Sequence, residues 1–211
     1  PQTYHRHAAT FMQEAVRAGQ PFFLMANSHD PHRPFFGNDN PEWYKDGDRP
    51  QAAVPSRIFT PDEVVVPGFL PDLPEVRLEM SEYCNSVRRC DDTVGRILDA
   101  LDASGAADNT VVLFLSDNGM AFPFAKTNCY LHSTKTPWIM RWPGRIAAGS
   151  VDLRHFLSGI DILPTFLDAA GIAVPEGVDG FSFLPVLEGR TQAGRDFVFT
   201  QFHQTAGNRN Y

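Results

Sequence analysis

Apolar residues recur along this chain in two rhythms, and each predicts a different kind of element. The first has the 3.6-residue period of an amphipathic helix. It predicts a helix over 5–18, closed by Gly19, and a longer one over about 74–103, where Val76, Met80, Val87, Val94, Leu98 and Leu101 fall near helical spacing. A third helix is predicted over about 159–170, stopped by Gly171. The second rhythm is the short unbroken apolar run, which predicts a buried strand. Such runs occur at 22–27, 110–115, 137–142 and 197–201. Strands separated by helices argue for an α/β fold with a mainly parallel sheet flanked by helices. Residues 36–74 are rich in Pro, Asp and Gly without any period and predict a long loop, of a length that usually serves function.

Chemistry gathers where two of the apolar runs stop. The run ending at Leu115 gives way to Ser116-Asp117-Asn118-Gly119, with Lys126 seven residues beyond the glycine. Two readings stand open there. Asn-Gly is a strong hairpin-turn signal. Asp117 and Asn118 are also two hard oxygen ligands at the carboxyl end of a strand, where open α/β sheets bind ligands, and such oxygens suit Ca²⁺ or Mg²⁺ better than a soft transition metal. The run at 22–27 ends in Ser28-His29-Asp30-Pro31-His32-Arg33-Pro34-Phe35. A His at such a place can donate a proton to a leaving group, although any one of these residues is also ordinary loop chemistry. The two clusters together favour a shared site.

Composition narrows the partners. A net charge of −7 and a pI near 5.4 argue against nucleic acid. A local cluster of metal, Lys and Arg still permits an anionic substrate. With 211 residues and 43% hydrophobic content the chain can bury a sizeable core as one domain or at most two. No apolar run approaches the roughly 20 residues that span a bilayer. The three cysteines, Cys84, Cys90 and Cys129, imply no disulfide framework.

As an ordered set, His29-Asp30-Pro31-His32-Arg33-Pro34-Phe35, Ser116-Asp117-Asn118-Gly119 with Lys126, Pro137-Trp138-Ile139-Met140-Arg141-Trp142-Pro143-Gly144, Asp161-Ile162-Leu163-Pro164-Thr165 and Asp179-Gly180-Phe181-Ser182 resemble the sulfatase family of the alkaline-phosphatase-like superfamily. The resemblance covers almost the whole chain. Within the family it is nearest to the branch of glycosaminoglycan sulfatases that includes heparan N-sulfatase.

That resemblance implies hydrolysis of a sulfate ester or sulfamate on a sulfated carbohydrate. It implies a divalent cation, Ca²⁺ with Mg²⁺ as the alternative, held in part by Asp117 and Asn118. Lys126 matches the position that binds the sulfate group. His32 matches the position that protonates the leaving oxygen or nitrogen, and His29 its polar neighbour. Arg33 and His203 are further candidates for substrate contact. The family nucleophile is a formylglycine matured from a Cys-x-Pro-Ser-Arg motif, and none of the three cysteines begins one. Ala53-Val54-Pro55-Ser56-Arg57 imitates it with Ala at the nucleophile position and is read as coincidence.

The chain is therefore read as a partial sulfatase catalytic domain over 1–211, incomplete at both ends, with formylglycine supplied from elsewhere. By itself it is expected to be inactive and to bind Ca²⁺ weakly. The family implies a periplasmic, secreted or lysosomal setting; no oligomeric state is assigned. A phosphomonoester or phosphonate hydrolase of the same superfamily, or a truncated anion-binding protein, are the alternatives. Asp161 is read as a helix cap, Asp91-Asp92 as a solvated helix face, Trp138 and Trp142 as sheet packing, and Lys135 as an exposed lysine.

Overall fold

In a computed structural model, residues 2–38, 53–190 and 194–202 are described. His203 and residues 39–52 of the long loop lie outside them. The chain divides into two compact units, Pro1–Ala107 with Asn118–Lys126, and Asp108–Asp117 with Thr127–Tyr211.

The first unit is built on two helices. Helix α1 spans Gln2–Arg17 and helix α2 spans Pro74–Ser104. Proline at the first turn suits α2 because that position needs no backbone donor. Gly105 ends the helix in the left-handed region at φ 77°, its N–H bonding the Asp102 carbonyl. Ala8 and Met12, one turn apart on α1, are buried as α1 packs along α2, and a fully buried methionine contributes about 2 kcal/mol.

The inner face of α2 is partly polar. Met80, Ala100 and Leu101 are buried as apolar contacts, but so are Ser81, Asn85, Ser86 and Thr93. Two of these side chains accept loop backbone. Phe36 N–H donates to Ser86 Oγ at 2.8 Å and Phe59 N–H to Asn85 Oδ1 at 2.7 Å. Val87, expected on the apolar stripe, is 39% exposed. The core of this unit gathers Phe35, Val64, Met80 and Phe122, so loop residues fill it as much as helix residues do.

The second unit carries strand β1, Val112–Leu115, and strand β2, Trp138–Arg141. They pair in register from Val112 opposite Arg141 to Leu115 opposite Trp138. This pair is antiparallel and is the one ladder among the described residues, so the parallel pairing that the apolar runs predict is not represented there. Segments 22–27 and 197–201, also predicted as strands, have no regular structure. Phe23 and Met25 are each 69% exposed and Phe199 83%. An extended apolar run becomes a strand only when a neighbour takes up its backbone hydrogen bonds, and no described strand flanks either segment. No described helix is long and apolar enough to cross a membrane.

Helix α3 is a single turn, Leu131–Thr134, and helix α5 another, Leu184–Leu187. Between them lies α4, Ile162–Ala169, entered through a 3₁₀ turn at Gly159–Asp161. Asp161 does more than cap. It is fully buried, and its carboxylate accepts Ser158 N–H at 2.8 Å, Phe181 N–H at 3.2 Å and the Arg195 guanidinium at 2.7 Å. Thr165 Oγ1 donates to the Asp161 carbonyl and accepts Phe183 N–H at 3.0 Å. The two family-like segments 161–165 and 179–183 thus lock together. Gly180 makes the lock possible, since a Cβ there would sit 2.0 Å from the Ile160 carbonyl oxygen. Trp138 packs edge-on against Phe183 with centroids 5.6 Å apart, in line with sheet packing.

Candidate active site

In the first unit the segment 28–36 is a tight loop anchored to α2 at both ends. Ser28 Oγ accepts Asp30 N–H at 3.1 Å, and His32 N–H closes a turn onto the His29 carbonyl at 2.8 Å. The Asp30–Pro31 and Arg33–Pro34 peptide bonds are cis. Arg89 of α2 grips Asp30 with Nε at 2.7 Å and Nη2 at 2.5 Å, both side chains being largely buried. The fork of a guanidinium on a carboxylate fixes direction as well as distance. Arg33 reaches to Glu79, further up the same helix.

This loop presents both histidines to solvent, their rings edge-to-face with centroids 5.1 Å apart. His32 Nδ1 lies 2.7 Å from the Arg33 carbonyl oxygen. A carbonyl can only accept, so Nδ1 carries the proton and Nε2 is left to exchange one with a ligand.

The segment Asn118–Lys126 belongs to the same unit and is brought against the histidine loop. Phe122 stacks on Phe35 at 5.8 Å and Tyr83 meets both rings edge-on. Arg33 donates to the Ala121 carbonyl through Nη2 at 2.9 Å and Nε at 3.3 Å. The histidine loop and the Asn118–Lys126 segment therefore share one core. Ala125 is fully buried, while Phe124 at φ 65° and Thr127 at φ 59° both occupy the left-handed region. That region is unusual for a bulky or β-branched residue and clusters at functional sites. Lys126, half-buried, lies between them.

Asp117 follows β1 in the second unit, is exposed, and is joined to Asn118 by one peptide bond. The pair offers two hard oxygens. No group of three or more His, Cys, Asp or Glu side chains able to hold a metal occurs among the described residues. Calcium takes six to eight oxygens, so Asp117 and Asn118 suit part of its shell.

Lys135 is exposed, as predicted. Asp91 also lies on a solvated face. Asp92 instead receives Ser56 through both its N–H, at 2.7 Å, and its hydroxyl, at 2.6 Å. Ser56 of the cysteine-free imitation motif is thereby bound into the first unit. Sequence reasoning missed Glu79, Ser86 and Arg89. Their signal was present: Glu79, Glu82, Ser86, Arg89 and Thr93 form a polar stripe at helical spacing on the same helix as the apolar one.

The fold is part of the alkaline-phosphatase-like α/β fold. A solved protein from a core locus for glycosaminoglycan metabolism in Bacteroides thetaiotaomicron shares it with a TM-score of 0.65, 27% identity, and coverage of 90% of this chain and 40% of that one. The Sulfatase family model matches residues 2–172, and the chain belongs to the sulfatase family. Human N-sulphoglucosamine sulphohydrolase is 31% identical over 187 residues, 80% of this chain and 37% of that protein. N-acetylglucosamine-6-O-sulfatase of Bacteroides thetaiotaomicron is 38% identical over 120 residues, 54% of this chain and 21% of its own length. The chain thus spans well under half of these relatives.

Proposed function

We propose that the whole protein is a sulfatase that removes sulfate from glucosamine residues of a sulfated glycosaminoglycan, as sulfamate or sulfate ester. The observation that carries this reading is the convergence, within one unit, of the His29–His32 loop and the Asn118–Lys126 segment on the Phe35–Phe122 stack. Both named relatives act on glucosamine derivatives, which favours this substrate over a phosphate or phosphonate ester.

Each residue has a task in this reading. The Lys126 ammonium holds the sulfate oxygens and stabilises the charge that grows on them. His32, with Nδ1–H tied to the Arg33 carbonyl, delivers a proton from Nε2 to the departing sugar oxygen or nitrogen. His29, its ring edge-to-face with that of His32, contacts substrate. His203 is assigned a substrate contact as well. Asp117 and Asn118 would supply part of the shell of a Ca²⁺, with Mg²⁺ as the alternative, and such a cation would neutralise sulfate charge and activate the nucleophile. The nucleophile is a formylglycine contributed by residues other than 1–211.

The test is sulfate release, followed by ion chromatography, from N-sulfated and 6-O-sulfated glucosamine, with an aryl phosphate as control. Release from a glucosamine substrate with little phosphate turnover is expected. Faster turnover of the phosphate would overturn the assignment.

A further inference from the structure

We propose that Arg33 is a positioning residue, a clamp that sets the Asn118–Lys126 segment against the His32 loop, and that it does not contact substrate. The inference rests on the sulfatase reading for its kinetic consequence only; the clamp itself is a matter of contacts within the first unit.

Three observations point the same way. First, both edges of the guanidinium are engaged inside the protein. Nε and Nη2 converge on the Ala121 carbonyl, and Nη1 meets Glu79 of α2. Second, it lies against the stacked pair of rings. The guanidinium carbon lies 4.5 Å from the centroid of Phe35 and 5.6 Å from that of Phe122, and the side chain is 20% exposed. Third, the carbonyl it holds belongs to the middle of the segment. Ala121 stands three residues after Asn118 and five before Lys126. Two backbone hydrogen bonds within the segment, Phe122 N–H to the Met120 carbonyl and Ala125 N–H to the Phe122 carbonyl, are local turns.

Arginine suits this task where lysine does not. A planar fork can hold a carboxylate on one edge and a carbonyl on another while lying against aromatic rings, whereas an ammonium is a point charge on a flexible stem. Cation–π attraction to the rings adds to the hold and strengthens as the cation is desolvated. Arg33 neighbours His32 in sequence, so one residue links the proton donor's loop, α2 and the loop that ends in the anion-binding lysine.

Arg33→Lys in the whole protein is the test, with Glu79→Gln as a second variant and two readouts. Hydrogen exchange should quicken by about 10-fold or more at the amides of Phe122 and Ala125 while α2 keeps its protection. With N-sulfated glucosamine, kcat should fall about 10- to 100-fold with KM within about two-fold, because misplacement by about 1 Å is enough to cost that much. Glu79→Gln should show a weaker form of the same pattern, and the double variant should be less than additive. A rise in KM with exchange unchanged makes Arg33 a substrate contact and overturns the clamp. Loss of protection across α2 makes it a general stabilising residue and overturns it too. If the unaltered protein releases no sulfate, the functional reading falls while the exchange measurement still decides whether Arg33 clamps the segment.

Discussion

Two guanidinium sites, one in each unit, use the same groups to different ends. In the second unit Arg195 meets Asp161, which is fully buried and also accepts two backbone N–H groups, so that every bond closes a turn, a helix start and the 179–183 segment onto one another. In the first unit Arg33 binds Glu79 and Arg89 binds Asp30, carboxylates that keep 36% and 15% exposure, and what they hold is a loop with two histidines facing solvent. Burial of the carboxylate separates the two cases, since the guanidinium groups are covered to a similar degree in both. A charge out of water with no spare exposure is a matter of folding, because losing its partner leaves it uncompensated. A charge at the surface contributes less to folding and can be used to aim its neighbours.

The contrast can be broken most severely at Asp161. Asp161→Ala leaves Arg195 unpaired and strips the acceptor from Ser158 N–H and Phe181 N–H, so a loss of about 3–5 kcal/mol is expected by denaturant titration. That exceeds the roughly 1 kcal/mol of a simple cap. A loss near the smaller value would reduce Asp161 to capping alone. Lys126→Ala should do the reverse in the whole protein: turnover drops by about 100-fold or more and the melting temperature barely moves. A lowered melting temperature with near-normal turnover would make Lys126 structural.

The smallest effect sharpens the comparison at the surface. Asp152 accepts the backbone N–H groups of His155 and Arg154 and pairs with the His155 ring, which together hold its carboxyl down from the ordinary 3.8 to about 2. A depressed carboxylate stabilises the fold above its unfolded pKa, and that contribution fades as pH falls from about 4 to about 2. Its side chain is 40% exposed, so screening keeps the effect small. Asp152→Asn should slightly flatten the fall of melting temperature between those pH values. An unchanged profile would show that the three bonds carry no linkage.

The helices were the most legible part of the chain. The reading of about 74–103 lies within a residue of α2, and the glycines at 19, 105 and 171 close their helices at φ 62°, 77° and 70°. Helical period is written into a single segment. Strand identity is not, because it depends on a neighbour elsewhere: 110–115 and 137–142 found each other, while 22–27 and 197–201 have no described partner. The candidate site was legible as residue types at two loci. How the loci are fastened was not, since Glu79, Ser86 and Arg89 lie in a helix about 50 residues from the loop they hold.

The backbone beside Lys126 has a consequence for anyone seeking a hardier form of this chain. Phe124 and Thr127 each occupy a conformation that glycine reaches freely and that costs another residue about 1–3 kcal/mol. Selection for heat resistance would therefore be drawn to these two positions. A glycine at either would relax the backbone and loosen the hold on the lysine, so durability and the role proposed for Lys126 pull in opposite directions within four residues of sequence.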